Sequence, residues 1–172
     1  TEVEDALGNT TTYKYDSLGR VRAVKRPLNQ EKFGYDAVGN RIWTEDGREN
    51  RTTYTYNSLG WLTAVRDPLW NTVNYRYDPN GNRVAEISAK NLKTTYKYEL
   101  NRLTQRIDSL NNTTKYGYDL NGNRIEMRDP NQTVWKYEYF ANNLLQNLVL
   151  TGTDKSTYQI SYTYDAAGNR KT

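Results

Sequence analysis

The stretch Thr72-Val73-Asn74-Tyr75-Arg76-Tyr77-Asp78-Pro79-Asn80-Gly81-Asn82-Arg83 reads as a strand, a tight turn and the opening of a second strand. Alternation puts Tyr75 and Tyr77 on one face, because strand side chains have a period of two. Asp78 can bond its own following backbone, and Gly81 supplies the positive φ that closes a hairpin. Asn80-Gly81 is a strong short hairpin signal in its own right, as is Asn121-Gly122. The aromatic-x-Tyr-acid pattern recurs along the whole chain, at Tyr13–Asp16, Phe33–Asp36, Tyr54–Asn57, Tyr96–Glu99, Tyr116–Asp119, Tyr137–Phe140 and Tyr162–Asp165.

From Tyr15 through Tyr35, Tyr56, Tyr77, Tyr98 and Tyr118 to Tyr139, the second aromatic returns every 20 or 21 residues; the last step, to Tyr164, is 25. A fixed period of this length marks a repeat architecture. The turn glycines follow in register at Gly19, Gly39, Gly60, Gly81, Gly122 and Gly168, with Asn101 and Asn143 standing in for glycine in the fifth and seventh units. A second turn opens on an acid, as at Asp5, Asp46, Asp67, Asp108 and Asp129. Gly-Asn-Arg marks the even units (Arg41, Arg83, Arg124), so residues 1–172 form four doublets of about 42 residues in one array.

No segment has helical periodicity. The expected fold is all-β: about eight antiparallel hairpins forming a curled or spiralling sheet. A flat sheet of so many strands is uncomfortable, and twist makes it curl or split. The alternative is a four-bladed propeller with one doublet per blade. Two exposed edges are expected, near residues 11–15 and 162–165, with edge-to-edge self-association as the consequence.

Composition narrows the chemistry. The hydrophobic share is 35% and the mean hydropathy is −1.01. Disordered chains are poor in aromatics, whereas this one holds 16 tyrosines among its 172 residues. Tyrosine buries roughly 150–250 Å² while leaving its hydroxyl at a wet edge, so it can build a thin core. Neither cysteine nor histidine occurs, which removes thiolate chemistry, the commonest general base and the commonest transition-metal ligand. No cofactor and no metal site is implied. The net charge of +4 is spread among interleaved acids, which argues against nucleic acid as a partner. No apolar run approaches the ~20 residues of a spanning helix, so direct membrane insertion is not expected.

Two chemical readings compete with plain structure. Asp78-Pro79-Asn80-Gly81-Asn82 places oxygens at alternate positions, but its glycine is fourth and residue twelve is Ala89, so it is not a calcium loop of the EF-hand kind. No carboxylate pair is singled out for glycoside hydrolysis. Catalytic residues are therefore none. Trp43, Trp61, Trp70 and Trp135 stand outside the tyrosine motif. If exposed they could stack on sugars, which makes a glycan the candidate ligand; otherwise they pack between hairpins.

The motif Tyr-x-Tyr-Asp-x-x-Gly with Asn-Arg or Arg following resembles the YD repeats of the Rhs family. That family includes bacterial polymorphic toxins, wall-associated proteins, insecticidal toxin-complex subunits and animal teneurins. The resemblance covers nearly the whole chain and implies a segment of a hollow β-shell. It implies partners as well: the remaining repeats and a C-terminal effector of the parent polypeptide. A secreted or cell-surface location in bacteria follows from the same resemblance. Tyr13, Tyr15, Asp16, Tyr35, Asp36, Tyr54, Tyr56, Tyr75, Tyr77, Asp78, Tyr96, Tyr98, Tyr116, Tyr118, Asp119, Tyr137, Tyr139, Tyr162, Tyr164 and Asp165 match the consensus and would be structural. Asn57, Glu99 and Phe140 at the acid position, with Asn101 and Asn143, read as local irregularities. Two functions are expected from different classes: a scaffold that encloses or presents an effector, or a module that binds cell-surface or wall carbohydrate.

Overall fold

The computed structural model describes residues 1–171. They form sixteen β-strands and no helix: β1 Glu2–Glu4, β2 Thr10–Tyr15, β3 Val21–Arg26, β4 Asn29–Tyr35, β5 Arg41–Glu45, β6 Arg51–Tyr56, β7 Leu62–Arg66 and β8 Thr72–Tyr77. There follow β9 Arg83–Ile87, β10 Lys93–Glu99, β11 Arg102–Ile107, β12 Thr113–Tyr118, β13 Arg124–Arg128, β14 Val134–Tyr139, β15 Leu145–Thr151 and β16 Thr157–Ser161. The strand order in the sheet is the order in the chain, with β1 and β16 at its ends. Two compact units divide the chain, one of Thr1–Arg76 with Glu86–Asn91 and one of Tyr77–Ala85 with Leu92 onward.

A propeller would break the ladder between doublets, and the ladder does not break. Within the first unit β5 pairs β6 through Trp43↔Thr53 and Glu45↔Arg51. Within the second, β13 pairs β14 through Glu126↔Lys136 and Arg128↔Val134. The propeller alternative fails because the outer strand of each doublet has its hydrogen bonds met by the next. The ends also differ from expectation. Thr11–Tyr15 is covered by β1 through Val3↔Thr11, and β16 stops at Ser161, leaving Tyr164 in an isolated bridge with Arg170.

The two faces have different chemistry. In the first unit one face carries Tyr13↔Val24↔Glu31 and Tyr54↔Val65↔Val73. The opposite face carries Lys14↔Ala23↔Lys32. In the second unit the row Tyr116↔Met127↔Trp135↔Leu150 continues the apolar chemistry. The core is thin: Val24, 6% exposed, and Ala85, 4% exposed, are the buried apolar residues among those described.

Most turns share one construction. Asp78 N–H donates to the Asn82 carbonyl at 3.0 Å, and Gly81 N–H donates back to the Asp78 carbonyl at 3.1 Å. Gly81 is thus the fourth turn residue, with φ +86°, and Asn80-Gly81 is not the central pair of a two-residue turn. The second turns repeat the design with Glu49, Trp70, Asn111 and Gln132 in the positive-φ position. The fifth unit is the exception: Glu99 pairs with Arg102, leaving Leu100 and Asn101 as a two-residue loop with φ of 50° and 61°. Positive φ at both central residues is the signature of a type I′ turn.

A further regularity lies just past the first turn of six hairpins. Lys14↔Ala23 is followed by Tyr15↔Val21, so Arg22 is an extra, unpaired residue. Ile42, Thr63, Thr104, Ile125 and Gln146 occupy the same place in five other hairpins. Such bulges bend and twist the strand that holds them. Two satisfy a neighbouring carbonyl with their own hydroxyl: Thr63 donates to Thr55 O at 3.1 Å and Thr104 to Lys97 O at 3.2 Å.

Candidate functional site

The repeated residues converge on the seams between hairpins. The second tyrosine of one hairpin reaches across to the preceding hairpin and donates its phenol to the carbonyl where that hairpin's return strand begins. Tyr35 donates to Val21 O at 3.0 Å, Tyr56 to Arg41 O at 3.0 Å, and Tyr98 to Arg83 O at 3.1 Å. Tyr139 donates to Arg124 O at 2.9 Å and Tyr164 to Leu145 O at 2.8 Å. Burial pushes the phenols of Tyr56, Tyr98 and Tyr139 above their ordinary value.

The arginines of the Gly-Asn-Arg units lie over the first aromatic of the following hairpin. Arg41 sits 5.5 Å from the Tyr54 ring centre and 5.8 Å from that of Phe33. Arg83 lies 5.3 Å from Tyr96, and Arg124 lies 4.8 Å from Tyr137. These separations are within cation–π range. In the first and fifth units the arginine also meets a backbone carbonyl: Arg20 donates to Asp36 O at 3.0 Å, with its guanidinium 4.8 Å from the Tyr35 ring centre, and Arg102 donates to Asp119 O at 2.8 Å. Arginine thus ties one hairpin to the next in two ways.

Asp and Asn lock the turns. Asp78 Oδ1 accepts from the backbone of Asn80 and Asn82 at 3.0 and 2.9 Å, while Oδ2 accepts Asn82 Nδ2 at 2.9 Å. The same set surrounds Asp5, Asp36, Asp46, Asp67, Asp108, Asp119 and Asp165. The Asn82 side-chain donor, followed by backbone N–H groups, holds the Asp78 carboxyl below the usual range. Hydrogen-bond donors fill these loops. Asn101 and Asn143 have a further use: Asn82 Nδ2 donates to Asn101 Oδ1 at 2.9 Å and Asn123 Nδ2 to Asn143 Oδ1 at 2.8 Å. What the sequence presented as irregularities are bridges between successive turns.

The tryptophans do not gather into one site. Trp61 is half-buried at the end of the Asn57 turn, its backbone N–H donating to Asn57 Oδ1 at 2.9 Å. Trp135 lies in β14 between Met127 and Leu150 on the apolar face. Trp70 is 74% exposed at a turn tip, with the Arg66 guanidinium 4.6 Å from its ring centre. Trp43 lies over Gly34, where an added Cβ would collide with the indole, and Arg51 stands 4.3 Å from its ring centre. Arg51 also donates twice to Glu45 Oε2, at 2.7 and 3.0 Å, and Lys32 Nζ meets Glu45 Oε1 at 2.9 Å. The lysine donor and then the guanidinium hold the Glu45 carboxyl below its ordinary value.

The family model described as Teneurin YD-shell matches residues 41–172, and the RHS Repeat model matches residues 1–31. Among solved structures, TcdB2-TccC3 without its hypervariable C-terminal region is similar with a TM-score of 0.78 at 13% identity, over 94% of this chain and 10% of that one. TcdB2-TccC3-Cdc42 has a TM-score of 0.77 at 12% identity, over 92% of this chain and 10% of that one. A Photorhabdus luminescens Tc holotoxin pore has a TM-score of 0.74 at 18% identity, over 94% and 11%. The chain therefore spans about a tenth of the length of these structures, and at such identities the likeness is one of fold. Comparison with curated proteins gave no match.

Proposed function

The chain belongs to the teneurin YD-shell family, and from that premise we propose that it is wall: a non-enzymatic stretch of β-shell that encloses or presents an effector polypeptide of its parent. The observation that carries this reading is the recurring phenol bond, with Tyr35, Tyr56, Tyr98, Tyr139 and Tyr164 each tying its hairpin to the one before it. Such ties extend a sheet repeat by repeat and converge on no cleft. Residues 1–172 act as one array, and the repeated Tyr, Asp and Gly serve to build it. One similar structure is TcdB2-TccC3 lacking a hypervariable C-terminal region, so a protein of this fold carries a variable segment at its C-terminus. By analogy, the effector here follows the repeats and the whole is exported to the cell surface or beyond.

Protease protection of the intact parent polypeptide tests this. The segment beyond the repeats is expected to resist digestion until the sheet unfolds. Digestion of that segment at the rate of an unshielded peptide would overturn the proposal.

A further inference from the structure

One turn position carries apolar side chains that the turn does not need. Leu18, Val38 and Leu59 each sit third in a first turn, with the N–H bonded to the leading Asp or Asn Oδ1 and the side chain in solvent. Asn80 makes the same backbone bond from the same position at 3.0 Å, so a polar residue serves there equally well. The three tips follow one another along one rim of the first unit, two strand spacings or about 10 Å apart. An added Cβ on Gly60 would stand 3.7 Å from Asn40 Oδ1, so successive turns lie side by side. Between the second and third tips is a groove of about 670 Å³, lined by Val38, Ile42, Tyr54 and Leu59 together with Asp36.

The opposite rim offers a knob. Pro68, Leu69 and Trp70 form the turn between β7 and β8, with Leu69 and Trp70 exposed. Trp70 takes φ +69°, in the left-handed region that a bulky residue enters only at a cost. Asn91 and Asn111 fill that position in two other second turns, at φ 60° and 64°, and asparagine suits it. Tryptophan thus adds backbone strain and an exposed indole, and neither serves the turn. Strain of this kind clusters at binding sites, and tryptophan is enriched among interface anchors. The Arg66 guanidinium stands 4.6 Å from the indole centre, so the knob carries positive charge and the groove a carboxylate. The 5 residues of β7 separate the two rims by about 17 Å, so a chain cannot seat its knob in its own groove.

We propose that a second copy of the chain docks here, with Leu69 and Trp70 of one copy seated between Val38 and Leu59 of the next and Arg66 beside Asp36. The docking surface does not depend on the shell reading. Knob and groove are different surfaces, so the contact is head-to-tail and leaves one of each free for further copies.

Sedimentation velocity of the full 172-residue chain carrying Ile160→Lys, which guards the β16 edge, tests this. Association past the dimer is expected as concentration rises. Trp70→Asn in that chain should weaken association at least about tenfold while holding or raising the denaturation midpoint. Val38→Asn combined with Leu59→Asn, which copies the Asn80 turn, should weaken it equally. Mixing the two variants leaves one intact groove and one intact knob, and should give a complex of two chains and nothing larger. The proposal is overturned by a monomer at all concentrations of the Ile160→Lys chain, by undiminished association of either variant, or by a mixture that associates no more than its components. Undiminished association of Trp70→Asn would indicate groove-to-groove contact between copies instead.

Discussion

Removing a single phenol oxygen from a seam leaves the Arg124 carbonyl without its 2.9 Å partner. Tyr139→Phe should therefore cost about 1 kcal/mol, read by chemical denaturation; an unchanged midpoint would show the bond to be replaceable by water. The same phenols respond to alkali. Their folded pKa is raised, so their contribution is intact below the unfolded value near 10 and is lost as pH rises through the folded one. The turn carboxyls behave oppositely. Their pKa is depressed at Asp36, Asp78 and Asp119 among others, so their contribution is present above the unfolded value near 4 and is lost as pH falls through the folded one. Asp78→Ala should destabilise more than Asp78→Asn at neutral pH, because Asn57 already accepts both backbone bonds in its own turn. Equal thermal midpoints for the two variants would refute that. The seam was legible in part: Phe33 replaces a first aromatic, whereas every second aromatic is tyrosine, a sign that the second hydroxyl has a partner.

At the level of the hairpin, the turn residues differ in how well they suit their backbone. Leu100 is 91% exposed with φ 50°, a conformation costing an ordinary L-residue roughly 1–2 kcal/mol and visited readily by asparagine. Leu100→Asn is expected to raise stability by about 1 kcal/mol, and a fall in the denaturation midpoint would contradict this. Hairpin positions were readable because Asp and Gly recur at fixed offsets. The bulges were not. Their residues are Arg22, Ile42, Thr63, Thr104, Ile125 and Gln146, which share no property, since a bulge is a matter of register between two strands. The asparagine bridges were hidden for a similar reason: Asn82 and Asn101 are 19 residues apart and meet only when successive turns lie side by side.

For the molecule as a whole, the sheet ends in β1 and β16, whose backbone groups on the outer side are free to pair. Val3 and Ile160 on these strands are exposed. Sedimentation should show self-association that grows with concentration and is reduced by Ile160→Lys, since charge guards an edge. A monomer at all concentrations would exclude it. The sequence by itself determined the β class, the number of hairpins and the family, because each rests on local chemistry repeated at a fixed period. Only the tertiary structure decided that the ladder runs unbroken past each doublet, which carbonyl each tyrosine reaches, and that Lys14, Ala23 and Lys32 stand in one row. Those facts depend on which strands become neighbours, and pairing brings together residues that no local pattern connects.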